Sequence, residues 1–130
     1  MRDARNCFVC GPDNPIGLRL RFTPAGEGIR AEFIPTDLHV GYAGLVHGGI
    51  LAALIDDALA NVWFLRGEEA VTAKIEVRFR REAHPGDRLV VTAQETGRKA
   101  GMMTARAEVT RADGDIVAEG IGYVVVRNGA

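Results

Sequence analysis

The chain has 130 residues, 47 % of them hydrophobic, and a formal net charge of −1, enough material for one hydrophobic core and too little for two ordinary ones. A sequence pI near 6.3 offers no basic field to a nucleic-acid backbone, which argues against sequence-independent nucleic-acid binding. No apolar run approaches the ~18 residues that span a bilayer, and Met1-Arg2-Asp3-Ala4-Arg5 leads into no apolar signal core, so the expected location is the cytoplasm.

Residues 1–17 form a turn-rich leader. It holds Cys7 and Cys10 in a C-x-x-C spacing. A structural zinc site usually takes four protein ligands; a second cysteine pair is missing, and His39, His47 and His84 lack a tight ligand spacing. The expectation is therefore no metal and two buried or partly buried thiols in a turn. A zinc shared between subunits is the alternative, and a thioredoxin-like pair ranks below it because no strand precedes the motif. Gly11-Pro12-Asp13-Asn14-Pro15 is a turn cluster.

Leu18, Leu20 and Phe22 then alternate with Arg19, Arg21 and Thr23, the period of a half-buried strand. Residues 28–34 read as its hairpin partner across Pro24-Ala25-Gly26-Glu27. From Gly48 to about Leu65 the period changes to 3.6: Ile50, Leu51, Leu54, Ile55, Ala58, Leu59 and Val62 share one helical face, with Gly67 as a stop signal beyond it. Alternation resumes over 72–79, 88–96, 102–110 and 116–126, separated by Ala83–Asp87, Gly97–Gly101 and the Ala112-Asp113-Gly114 turn. Two strands, one long helix and four more strands predict a single α+β domain over 1–130. The simplest way to bury the wide apolar helix face is to wrap an antiparallel sheet around it.

Chemistry concentrates in Val46-His47-Gly48-Gly49 and the helix that follows. Two glycines at a helix start let a ligand approach the backbone closely. The first helical N–H groups lack internal partners and carry partial positive charge, so a carbonyl oxygen turning into an oxyanion is stabilised there. Asp56 follows His47 by nine positions, and neither it nor Asp57 has a Lys or Arg at i±3 or i±4. From spacing alone the acidic pair reads equally as a functional carboxylate or as two groups reaching solvent past the helix edge.

His47-Gly48-Gly49 with Asp56 nine positions on resembles the signature of hotdog-fold acyl-CoA thioesterases, most nearly the PaaI-like branch. Cys7-Phe8-Val9-Cys10-Gly11 with Asn14-Pro15-Ile16-Gly17-Leu18 resembles a leader found in a subset of them. The resemblance implies the hotdog fold, an antiparallel sheet wrapped around one central helix, and an acyl-CoA substrate with no cofactor. It implies Gly48 as the N–H donor to the thioester oxygen and Asp56 as general base or nucleophile. Thr72 would help to place water, and His47 would either shape the turn through hydrogen bonds, the commoner role in the family, or transfer a proton directly. The glycine turn and the Asp would come from different subunits of a homodimer or homotetramer. Several relatives carry an Asn or Gln where this chain has Gly41; His39 and Tyr42 are near enough in sequence to substitute. Asp57 matches no required position and is expected to face solvent or cap a neighbouring loop, with Asn61 off the face of Asp56.

Substrate contacts would come from Gly49, from Arg98 and Lys99 for the CoA phosphates, and from Trp63 with Leu51, Leu54 and Phe64 along the acyl group, although such apolar residues are more often plain core. Arg78, Arg80 and Arg81 read rather as sheet-face charges balanced by Glu76, Glu82 and Asp87. Three other readings compete: an acyl-CoA binder without hydrolysis, a hotdog dehydratase, for which His47 and Asp56 match poorly, and a redox or metal module on Cys7 and Cys10.

Overall fold

The computed structural model describes residues 3–128; Met1, Arg2, Gly129 and Ala130, the ends of the expected 1–130 domain, lie outside the described residues. The 3.6-residue pattern folds as α1, Gly48–Phe64, within one residue of expectation. Leu54, Ile55, Ala58 and Leu59 on its inner face are fully buried. The two-residue patterns form β1 (Thr23–Ala25), β2 (Gly28–Phe33), β3 (Glu68–Phe79), β4 (Leu89–Lys99), β5 (Met102–Thr110) and β6 (Ile116–Asn128), with a 3₁₀ turn at Asp37–His39. All pair antiparallel in one sheet of order β1-β2-β4-β5-β6-β3. Alternate residues on one face meet the helix: Ile29, Ala31 and Phe33 of β2, Leu89, Val91 and Ala93 of β4, Ala105, Ala107 and Val109 of β5. This is the hotdog architecture, one long helix in the curve of one sheet. Each large side chain it buries fully contributes roughly 1.5–3 kcal/mol.

Two glycines of β6 set how closely α1 lies on the sheet. A Cβ at Gly120 would come within 2.6 Å of Ile55 Cγ2, and one at Gly122 within 2.7 Å of Leu59 Cδ1.

The structure corrects several boundaries. β3 begins at Glu68, four residues before the expected start at 72. Leu18, Leu20 and Phe22 are buried in alternation as expected, yet the strand starts only at Thr23, and Pro24 and Ala25 belong to it rather than to the turn. Arg19 takes a left-handed conformation, φ 55°, which interrupts an extended run. Leu18 and Leu20 instead donate backbone hydrogen bonds to Phe8 O (2.8 Å) and Val9 O (2.9 Å) of the leader. At the other hairpin Gly97, Arg98 and Lys99 lie inside β4, and the turn narrows to Ala100-Gly101, both with positive φ (53° and 78°), the two-residue connection that suits strand twist.

Candidate active site

The chain enters α1 under tight control. Val46 N–H donates to Ala83 O (2.8 Å) and His47 N–H to His39 O (2.9 Å). His47 is the N-cap residue: its Nδ1 accepts the Gly49 N–H at 2.7 Å, and its carbonyl accepts from Ile50 N (3.0 Å) and Leu51 N (3.3 Å). An accepting Nδ1 carries no proton, so this nitrogen holds the turn. Among the described residues no group accepts the Gly48 N–H. The first turn thus presents one free donor at the positive end of the helix dipole. The Phe79 ring lies 3.6 Å from where a Gly48 Cβ would stand. Phe79 is more than half exposed at the end of β3, and nothing in its strand pattern had marked it as a neighbour of the turn.

Gly41 backs onto the His47 ring: a Cβ there would sit 3.3 Å from His47 Cδ2. His39, a candidate substitute for the amide of relatives, is occupied elsewhere. Its Nδ1 accepts the Thr36 N–H (2.9 Å), and its ring meets Phe33 edge-on at 5.1 Å. Tyr42 is 85 % exposed.

Asp56 lies eight residues beyond Gly48, about 12 Å along the helix. Its side chain is half-buried and has no hydrogen-bonding or ionic partner among the described residues. Gly49, Ala52, Ala60 and Trp63 share its helical face within about 40°, so the nearest side chains on that face are the methyls of Ala52 and Ala60, with Trp63 two turns on. Thr72 is half-buried in β3 opposite Val124, beside an irregularity in the β3–β6 register. It makes no hydrogen bond to Asp56.

Asp57 does not look out to solvent. It turns to the leader, where its Oδ1 accepts from Cys7 Sγ (3.3 Å) and its Oδ2 from Asn61 Nδ2 (2.9 Å). Burial pushes its carboxyl above the ordinary range and the Asp56 charge adds to the rise, against the opposing pull of its Cys10, Cys7 and Asn61 donors. Burial, and after it the Asp57 charge, push the Cys10 thiol up. Asn61, off the face of Asp56 as expected, is one turn on from Asp57 and only 6 % exposed.

Arg98 and Lys99 are exposed and have no carboxylate within ion-pair distance among the described residues. Arg98 borders a depression of about 330 Å³ with Trp63, Met103, Val124 and Val126. Trp63 is only 2 % exposed, a core side chain whose edge reaches that depression. Both sit at the C-terminal end of α1, some 15 residues and about 22 Å from Gly48 along the helix. A single chain therefore does not gather the turn, the carboxylate and the cations around one point. Arg80, read as a sheet-face charge, pairs with Glu119 of β6 at 3.0 Å.

A sheet wrapped around one helix, which opens on two glycines behind a His47 cap and carries an unpartnered Asp56 further along among the described residues, defines a hotdog-fold protein. The profile of the thioesterase superfamily matches residues 43–118, and the chain belongs to that family. A Deinococcus radiodurans protein bearing an esterase name is 32 % identical over 96 residues, 73 % of this chain and 65 % of its own length. The human acyl-coenzyme A thioesterase THEM5 is 36 % identical over 70 residues, 54 % of this chain and 28 % of its own length. The chain thus spans less than two thirds of these curated relatives. Among solved structures, a thioesterase superfamily protein superposes with a TM-score of 0.83 at 27 % identity, covering 93 % of this chain and 60 % of that one. The Escherichia coli PaaI protein of the phenylacetic acid degradation operon superposes at 0.77 and 23 % identity, covering 87 % and 83 %. No helix among the described residues is long and apolar enough to cross a membrane.

Proposed function

We propose that the chain is an acyl-CoA thioesterase that hydrolyses a small or medium acyl-CoA, aromatic acyl groups included, to the free acid and CoA. The observation that carries this reading is Asp56: a half-buried carboxylate without a partner among the described residues, on a helix whose other faces are mostly apolar. A helix gains nothing structural from a charge so placed, whereas hydrolysis needs a base or nucleophile beside an apolar acyl site. Water attacks the thioester carbonyl while Asp56 takes its proton, or Asp56 attacks first and water cleaves the anhydride. The carbonyl oxygen gains charge against the Gly48 N–H, and the CoA sulfur leaves with a proton. A positioned base is worth about 10²–10⁴ in rate and one oxyanion donor about 10²–10³.

Reacting groups must lie within about 3–3.5 Å of each other. Gly48 and Asp56 of one helix, about 12 Å apart, fail that condition. In this reading two subunits complete each site, Gly48 of one facing Asp56 of the other, in a homodimer or a dimer of dimers. Thr72 helps to place water, and Arg98 and Lys99, free of carboxylate partners among the described residues, meet the CoA phosphates. A structure of a Streptococcus mutans protein of the same fold holds acetyl-CoA. The substrate class is in keeping with that, and a cytoplasmic protein with the substrate.

The test is free-thiol release from a panel of acyl-CoA esters by the wild type and by Asp56→Asn, which keeps the side chain's size. The expected result is turnover of at least one ester by the wild type and a loss of about 10²-fold or more in the variant. A wild type that binds acyl-CoA but cleaves no ester supports the binding-protein reading instead. An Asp56→Asn variant that keeps full activity removes Asp56 from the chemistry.

A further inference from the structure

The leader and the outer face of α1 meet at a group of side chains the proposed hydrolysis does not use. Cys7 Sγ, Cys10 Sγ and a carboxylate oxygen of Asp57 all lie within 4.8 Å of one another, although fifty residues separate Cys7 from Asp57. Ligand atoms around a tetrahedral zinc, at bond lengths of ~2.0–2.3 Å, stand about 3.3–3.8 Å apart. The Cys7 Sγ to Asp57 Oδ1 distance is already 3.3 Å.

The backbone is shaped for this convergence. Cys10 N–H points at Cys7 Sγ (3.5 Å), and Gly11 N–H donates to Cys7 O (2.9 Å), which curls the C-x-x-C-G turn so that both sulfurs face α1. Gly11 is buried in that turn, and a Cβ on it would overlap Cys7 N and the carbonyl oxygens of Arg5 and Cys7. An amide directed at sulfur is the kind of outer-sphere hydrogen bond that orients a metal ligand. On the other side Asn61 Nδ2 donates to Asp57 Oδ2 (2.9 Å) and Asp57 O (2.8 Å). That fixes the carboxylate plane and leaves Oδ1 toward the cysteines, the outer-sphere support that metal ligands characteristically have. Three groups able to carry negative charge are gathered here, and no Lys or Arg pairs with any of them among the described residues.

The geometry points to a zinc site: Cys7, Cys10 and Asp57 bind one Zn²⁺ per chain, with solvent in the fourth position. Two thiolates and a carboxylate suit this borderline-soft ion, and binding displaces the two thiol protons. Cys10 and Asn61 also line an open cleft of about 810 Å³ with Arg19, Arg21 and Phe64, so the fourth position has a way out to solvent. The ion would fasten a leader with little regular secondary structure to the middle of α1, closing a loop of some fifty residues. The site stands apart from the proposed hydrolysis and does not depend on it.

The experiment is a titration of the chelator-treated, reduced protein with Co²⁺ and then Zn²⁺. The expected result is one Co²⁺ per chain with a near-ultraviolet thiolate-to-cobalt charge-transfer band and visible bands of tetrahedral cobalt, all displaced by stoichiometric Zn²⁺. Cys7→Ser and Cys10→Ser should each lose most of the charge-transfer intensity. Asp57→Asn should keep that band and bind at least about tenfold more weakly, the lower end of what losing a supporting group costs metal sites. Should the cysteine variants fold poorly, protection of both wild-type thiols from alkylation by equimolar Zn²⁺ gives the same answer. Absence of charge transfer and of protection at equimolar metal overturns the proposal. So does unchanged affinity in Asp57→Asn, or a disulfide between Cys7 and Cys10 that forms in air and in the presence of Zn²⁺ alike.

Discussion

At the scale of single residues, His47 illustrates how a residue that looks chemical serves geometry. Its Nδ1 is committed to the Gly49 N–H at 2.7 Å, so the ring holds the first turn and leaves the Gly48 N–H without an acceptor among the described residues. His47→Ala is expected to cost about 0.5–2 kcal/mol of stability, the range for losing an N-cap. Hydrolysis should also fall, because the freed Gly49 N–H and the loosened turn no longer aim one donor. His47→Asn, which retains an N-capping acceptor, should restore most of the stability in a denaturant titration and much of the activity. A kcat that stays low in a fully stable His47→Asn would instead assign the imidazole a direct part in proton transfer. Gly41 belongs to the same argument. Any side chain there presses on the His47 ring at 3.3 Å, so in this chain the position supports the cap.

At the scale of elements, the contact of α1 with β6 depends on missing side chains. Gly120→Ala would drive a methyl into Ile55, and overpacking of that kind costs about 1–3 kcal/mol. A midpoint shift in urea unfolding measures it, and pairing the change with Ile55→Leu, which lacks the clashing γ2 methyl, should recover part of the loss. The strand ends are tied by charge. The Arg80 guanidinium beside Glu119 holds that carboxyl below the usual carboxylate range. A carboxylate lowered in the folded state stabilises it above the unfolded pKa of about 4.3, and that contribution disappears as the pH falls through the folded value. Glu119→Gln is therefore expected to unfold more easily than the wild type at pH 7, and the two melting curves should converge in strong acid. The elements also show what could be read from sequence. Period alone located α1 within a residue and β5 to the residue, because both patterns report burial directly. It extended the first strand too far: Arg19 alternates correctly with its neighbours, but its left-handed backbone follows from the leader crossing Leu18 and Leu20, a contact that periodicity does not encode. From the sequence Asp57 is expected to face solvent or cap a neighbouring loop, and nothing in the sequence joins residue 57 to residues 7 and 10.

At the scale of the whole molecule, the sheet has an edge that one chain leaves open. β3 runs twelve residues with β6 on one side only, and Val71 and Phe79 on it are 41 % and 57 % exposed. A long edge strand carrying exposed apolar side chains invites pairing with another strand. The roughly 12 Å between Gly48 and Asp56 along α1 calls for a second copy independently, since neither group can serve the other within one chain. Both arguments lead to the same prediction. Sedimentation of the wild type should give at least twice the 14.0 kDa of the chain, and specific thioesterase activity should fall on dilution through the dissociation range. Val71→Lys, a charge on the edge, should shift the mass toward 14.0 kDa and remove activity while far-ultraviolet circular dichroism stays unchanged. Mixing Asp56→Asn with a variant carrying a bulky residue at Gly48, each inactive alone, should restore about a quarter of the wild-type activity. A random mixed dimer holds one intact Gly48–Asp56 pair, and mixed dimers make up half of the population. A wild type that is both monomeric and active would contradict the shared site, because it would require one helix to bring together two groups that its own rise keeps apart.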